Sequence, residues 1–258
     1  MINFNIELPE FINNALSKPA QAVGNTLTNT WELVFGGFDL YVDKIQHKRQ
    51  LNAQRFKDEV EKEIANVPPE NLVEPPLHIL GPTLEASKYY FDSEELRSMF
   101  AKLIAATINS EMISKAHPSF VEIIKQLSPL DAKNLSFFKE RFHYPICEYK
   151  ITTNNSRGHN VLLSNVFLEN SKGDYQNLSL NASSMTNLQR LGLISISYTT
   201  WLNNRDEYNK FETTEYFKLV KLEIENNNPN FKGYDGIKIQ EGLCQISPFG
   251  IDFIDLCL

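Results

Sequence analysis

The chain has 258 residues, 42% of them hydrophobic and 22% charged, an ordinary globular mixture that suits one large domain or two small ones rather than a disordered polymer. Lys and Arg number 25 against 32 Asp and Glu. The balance is 15 against 19 before Pro145 and 10 against 13 from there on, so neither half attracts phosphate backbones through its net field.

The start, MINFNIELPEFINNALSK, lacks the basic and long apolar stretches of a secretory leader. The early run LVFGGFDLYV falls well short of the roughly 20 residues of a spanning helix. Cys147, Cys244 and Cys257 form no CxxC pair and have no histidine at ligand spacing, which fits a reducing compartment. A soluble, cytoplasmic protein is expected.

Residues 8–37 read as two short helices. From Phe38 to Ile64 apolar residues recur three or four apart, through Ala53, Phe56 and Val60, and predict one long helix with a narrow stripe. A narrow stripe suits packing on a helical bundle or pairing with a second copy. NVPPENLVEPP ends that helix, since each proline disfavours helix in the residue before it. PPLHILGPTLEASKYY predicts a helix with a kink or late start at Pro82. DSEELRSMFAKLIAATINSEM follows, capped by Asp92 with Glu95 and facing inward through Leu96, Phe100, Leu103 and Thr107. Pro118 and Pro129 open the next two helices, the second capped by Ser128 and burying Leu135, Phe138 and Phe142.

Beyond Pro145 the texture changes. ICEYKIT alternates as a strand, and VLLSNVFLE reads as either a strand or a short helix. In SLNASSMTNLQRLGLISIS a helix over 182–191 takes Asn181 as cap, Gly192 as a left-handed stop and LISISY as the next strand. EYFKLVKLEI and GIKIQEGLCQIS read as further strands, and SPFGIDFIDLCL as a capped helix burying Phe249, Phe253 and Ile254. The fold class expected is therefore α+β: an N-terminal α-helical bundle over 1–127, then a winged-helix-like domain over 128–258 with a small antiparallel β-sheet.

No motif for catalysis stands out. His117, His143 and His159 have no partners at metal spacing, Glu94 and Glu95 suit the first turn of a helix, and Cys147 lies in an alternating strand as a structural thiol. No phosphate loop, G-x-S-x-G, H-E-x-x-H or dinucleotide fingerprint occurs, so no catalytic residue, cofactor or metal is expected. The candidate interaction surface is the outer face of the helix at 182–191: Ser183, Ser184, Asn187 and Arg190. One arginine is a weak electrostatic footprint for a duplex, which leaves protein contact ahead of nucleic-acid binding. Residues 11–46 carry few Lys or Arg for an interfacial helix, so self-association through the N-terminal helices is expected ahead of membrane contact.

The block EPPLHILGPTLEASKYYFDSEELRSMFAKLIAATIN, with HPSFVEIIKQLSPLDAKNL, NLQRLGLISI and SPFGIDFIDLC after it, resembles the Abi-alpha family, a bacterial domain named for abortive infection. The resemblance runs from about residue 38 to the end. It implies a role in defence against bacteriophage, in which an infected cell stops growing or dies before phage multiply, with a phage or host protein as partner. It assigns no catalytic residue. The shared Pro75, Pro76, Leu103, Pro118, Phe120, Leu127, Pro129 and Leu130 are accounted for as helix starts and core contacts. The role expected is a non-enzymatic sensor or effector. A winged-helix DNA-binding regulator and a membrane-acting toxin using the N-terminal helices are the alternatives.

Overall fold

The computed structural model describes residues 5–13, 18–36, 45–153, 158–171 and 173–258. They form a mixed α+β chain with a four-stranded antiparallel sheet. Two compact units emerge: residues 1–129 with 252–258, and residues 130–251.

Helices build the first unit. In chain order they are α1 (Glu10–Asn13), α2 (Lys18–Phe35), α3 (Ile45–Ala65), α4 (Leu77–Ser87), α5 (Glu94–Thr107) and α6 (Ser119–Gln126). The second of the two short helices expected early in the chain is thus 18 residues long. The start proposed for the long helix, 38–44, lies outside the described residues. Its stripe is present: Ala53, Phe56, Val60 and Ile64 are all buried. Phe56 stacks on Trp31 of α2 at 5.9 Å and packs at 5.1 Å from Phe91. Aromatic pairs at such spacings add to the area they bury.

The strongest predicted helix is α5, and its cap differs by one residue. Ser93 accepts from the Leu96 N–H, while Asp92 accepts from Asn52 at 2.8 Å. An N-cap needs extended backbone and a short oxygen over the third N–H, and Ser93 has both. Leu96, Phe100, Leu103 and Thr107 are buried as the period requires. Arg97 is buried too. Its Nε and Nη2 donate to Glu59 Oε1 at 2.9 and 2.7 Å, and its Nη1 to the Phe91 carbonyl at 3.1 Å, so the charge is matched where water cannot reach it. Pro82 lies inside α4 rather than at its start. His117 works as a capping group, its Nδ1 accepting from the Ser119 N–H at 3.1 Å.

The second unit opens with α7 (Pro129–Ser136), then β1 (His143–Thr153), β2 (His159–Val166), α8 (Tyr175–Arg190), β3 (Ile194–Ser197), α9 (Asn209–Glu212), α10 (Glu215–Glu225) and β4 (Tyr234–Ile246). The helix α11 (Pro248–Cys257) starts there, and its residues from 252 on belong to the first unit. The sheet order is β2-β1-β4-β3, every neighbour antiparallel. Cys147, Tyr149, Val166, Leu178, Tyr208, Phe211 and Phe217 form the core against one sheet face. The buried Tyr149 hydroxyl is satisfied by the Phe211 carbonyl at 2.8 Å and Thr214 Oγ1 at 2.9 Å.

Four sequence expectations are corrected here. Of the two readings open for VLLSNVFLE, the strand holds for residues 161–166 within β2, so β1 and β2 pair before α8, and α9 and α10 separate β3 from β4. The winged-helix order, which needs two helices and then a hairpin, is not the order found. EYFKLVKLEI is the helix α10: Thr214 caps it by accepting from the Phe217 N–H at 3.2 Å, and Phe217, Val220 and Ile224 are buried at helical spacing. Its exposed Leu219 and Leu222 gave the stretch enough apolar character to imitate a strand. Phe142 is 58% exposed rather than inward. In α11, Phe253 is fully buried, whereas Phe249 and Ile254 are half-buried.

Candidate functional site

The candidate surface lies on α8, which is longer than its sequence suggested. The cap is Asp174, whose carboxylate accepts from the Asn177 N–H at 3.0 Å and from the Asn177 side-chain amide at 2.5 Å. The Asn177 backbone N–H, then its side chain, hold the Asp174 carboxyl below its ordinary value. Asn181, expected as the cap, sits mid-helix and buried. The helix stops as predicted: Gly192 has φ +75°, its N–H donates to the Gln189 carbonyl at 3.0 Å, and the Leu193 N–H reaches the Leu188 carbonyl at 3.1 Å.

The inward face of α8 carries Leu178, Ala182, Met185 and Leu188, and with them Asn181 and Ser184. This corrects the assignment of Ser184 to the outer surface. Ser184 lies one turn before Leu188 on the same stripe, and its hydroxyl accepts from the buried Asn134 amide at 3.0 Å. The same amide donates to Asn181 Oδ1 at 3.0 Å, and Asn181 donates to the Asn177 carbonyl at 2.9 Å. A buried amide network of this kind ties α7 to α8 in one register, because a slip strands polar groups away from water.

Ser183 and Arg190 are exposed and Asn187 is half-buried, so three of the four candidate residues reach the surface. Arg190 is held rather than free. Its Nε and Nη2 donate to Asn187 Oδ1 at 3.1 and 2.7 Å, and Asn187 Nδ2 donates to Asp131 Oδ2 at 3.0 Å. Arg190 is the one charged residue in the α8 sequence. The chain of bonds therefore ends an exposed cation on a buried carboxylate.

Beside this chain lies a group that sequence reasoning missed. Thr186 accepts at Oγ1 from Asn165 Nδ2 at 2.9 Å. Asn165 sits in the left-handed region at φ 56°, a conformation that asparagine tolerates better than most residues. Its N–H donates to the Tyr198 hydroxyl at 2.9 Å, and that hydroxyl donates to Asn165 Oδ1 at 2.8 Å. The Tyr198 ring lies over Gly242 so closely that a Cβ there would be 2.6 Å from the ring. Burial pushes the Tyr198 phenol upward, so it is neutral and able to donate. On the same sheet face, Glu148 accepts from Ser164 at 3.1 Å and pairs with Lys150 at 3.0 Å. Asn165 lies within the β2 stretch, and nothing local joins it to a tyrosine 33 residues on.

Chemically, this surface presents hydroxyls, amides and one guanidinium. Cys147, Cys244 and Cys257 are all buried free thiols, and burial raises each one away from the thiolate. Among the described residues no three His, Cys, Asp or Glu side chains gather to hold a metal ion. No helix among them is long and apolar enough to cross a membrane.

A family model described as abortive infection alpha matches residues 48–257. No curated protein matches. A solved structure of an uncharacterized protein from the hydrocarbon-degrading marine bacterium Alcanivorax borkumensis SK2 is 18% identical, covers 57% of this chain and 94% of that one, and superposes with a TM-score of 0.33, too distant to carry an argument.

Proposed function

Because the chain belongs to the abortive infection alpha family, we propose that it is a non-enzymatic component of an antiphage defence and binds a protein through the outer face of α8. The observation that carries this reading is the bonded chain Arg190–Asn187–Asp131. A guanidinium held in place by an amide and backed by a carboxylate offers directional hydrogen bonds with little net charge. Protein surfaces match such a face, whereas a duplex calls for clustered cations. Ser183 and Thr186 extend the same face with hydroxyls.

The test is a phage challenge of bacteria expressing the chain, at low and high multiplicity of infection. Protection of the culture at low multiplicity, with loss of the infected cells at high multiplicity, is expected. Arg190→Glu and Ser183→Glu should abolish it while leaving the circular dichroism spectrum and melting temperature unchanged. Full protection by both folded variants would overturn the assignment to α8. Salt-dependent retention of the chain on DNA, lost in Arg190→Glu, would replace the protein partner with a nucleic acid.

Self-association through the N-terminal helices belongs to the same reading, supported by Leu33 of α2, which is 84% exposed, and by the exposed Leu51 of α3. Light scattering after size exclusion checks it, and a strict monomer at high concentration would refute it.

A further inference from the structure

Three helices of the first unit end around one cleft of about 290 Å³, near the lower bound of about 300 Å³ for small-molecule sites. Glu63 lies in the last turn of α3, Ala105 and Ala106 in the last turn of α5, and Asp255 and Leu256 in the last turn of α11. A helix C-terminus carries about half an elementary negative charge. Three of them facing one volume make it attractive to cations before any side chain is counted.

The side chains add to that field. Glu63 and Asp255 are the carboxylates of the lining, and Glu63 has no ion-pair partner among the described residues. Asp255 Oδ2 accepts from Lys115 at 2.8 Å, and Lys115 also lies 3.6 Å from Asp252. Lys102 is the lining cation, and its Nζ donates to a main-chain oxygen of the final residue, Leu258. Together the three carboxylates outnumber the two ammonium groups, and the helix ends add to the carboxylates. The floor is apolar: Ala105, Ala106 and Leu256 are buried, and the two alanines leave the volume open.

We propose that this cleft binds a small aliphatic amine, its ammonium held by Glu63, Asp255 and the adjoining helix ends, and its alkyl stem lying on Ala105 and Ala106. An anion meets the wrong sign of field there, and a neutral alcohol uses the floor alone. The inference stands apart from the α8 face and does not depend on it.

The probes are n-pentylamine, n-pentanol and n-pentanoate, titrated into the full chain at constant ionic strength while the Ala105 and Ala106 methyl resonances are followed. Pentylamine should shift both saturably and pentanoate should shift neither. Glu63→Gln, which keeps the volume, should weaken pentylamine about tenfold through loss of a charge-assisted bond. Ala106→Leu should abolish binding by filling the floor. Pentanol binding as tightly as pentylamine, an unchanged pentylamine affinity in folded Glu63→Gln, or no saturable shift at all would each overturn the proposal. Should a variant fail to fold, the comparison of the three probes on the unaltered chain decides alone.

Discussion

Replacing Tyr198 with Phe removes one oxygen that serves two bonds. The hydroxyl accepts from the Asn165 N–H at 2.9 Å and donates to Asn165 Oδ1 at 2.8 Å. Each bond contributes about 1 kcal/mol net, and an amide left without an acceptor costs somewhat more where water cannot enter. Tyr198 and Asn165 are half-buried, so solvent recovers part of that loss. The expected destabilisation is about 2 kcal/mol, or a fall of roughly 4–8 °C in melting temperature for a chain of this size. Urea and thermal unfolding read it directly. The discriminating measurement is a double-mutant cycle with Asn165→Gly, since glycine accepts the φ of 56° at no steric cost and takes the amide away. In that background Tyr198→Phe should cost only about half as much, giving a coupling of roughly 1 kcal/mol. Additive losses, or a Tyr198→Phe chain as stable as the parent, would refute the role given to this ring. If the network also positions the α8 face through Thr186, phage protection should drop in the same variant.

Gly242→Ala should destabilise the second unit by about 1–3 kcal/mol in urea unfolding, because the new methyl meets the Tyr198 ring at 2.6 Å and the Ser197 carbonyl at 2.7 Å. Asp174 titrates below the ordinary carboxylate value of 3.8, so the stability it gives α8 is complete above that pH and is lost as pH falls through its lowered folded value. Asp174→Asn, which still caps, should keep the melting temperature at neutral pH and flatten its acid limb in thermal scans between pH 5 and 2, those bounds being roughly the window of a depressed carboxylate. A thiol reagent at mildly alkaline pH should leave Cys147, Cys244 and Cys257 unmodified in the folded chain and label all three in denaturant, since burial both hides each thiol and keeps it protonated.

Some helix starts and stops are written within a few residues and were legible there, whereas the Asp174 start of α8 and the whole of α10 were not. The buried stripe of α3 and α5, the proline-led starts of α6 and α7 and the glycine stop of α8 all follow from local spacing and backbone chemistry. Family membership was legible for the same reason, carried by those runs together. Tertiary structure decided the rest. Residues 215–225 carry apolar side chains on two faces, and only packing against the core selected the helical period. Ser184 shares the stripe of Leu188, yet a serine reads as outward until Asn134, 50 residues earlier, supplies its partner. The contacts Asn165–Tyr198 and Asp131–Asn187 join segments far apart in the chain. Local periodicity fixes which way a side chain points along its own element, whereas hydrogen bonds across a sheet or between helices depend on a register that no short stretch encodes.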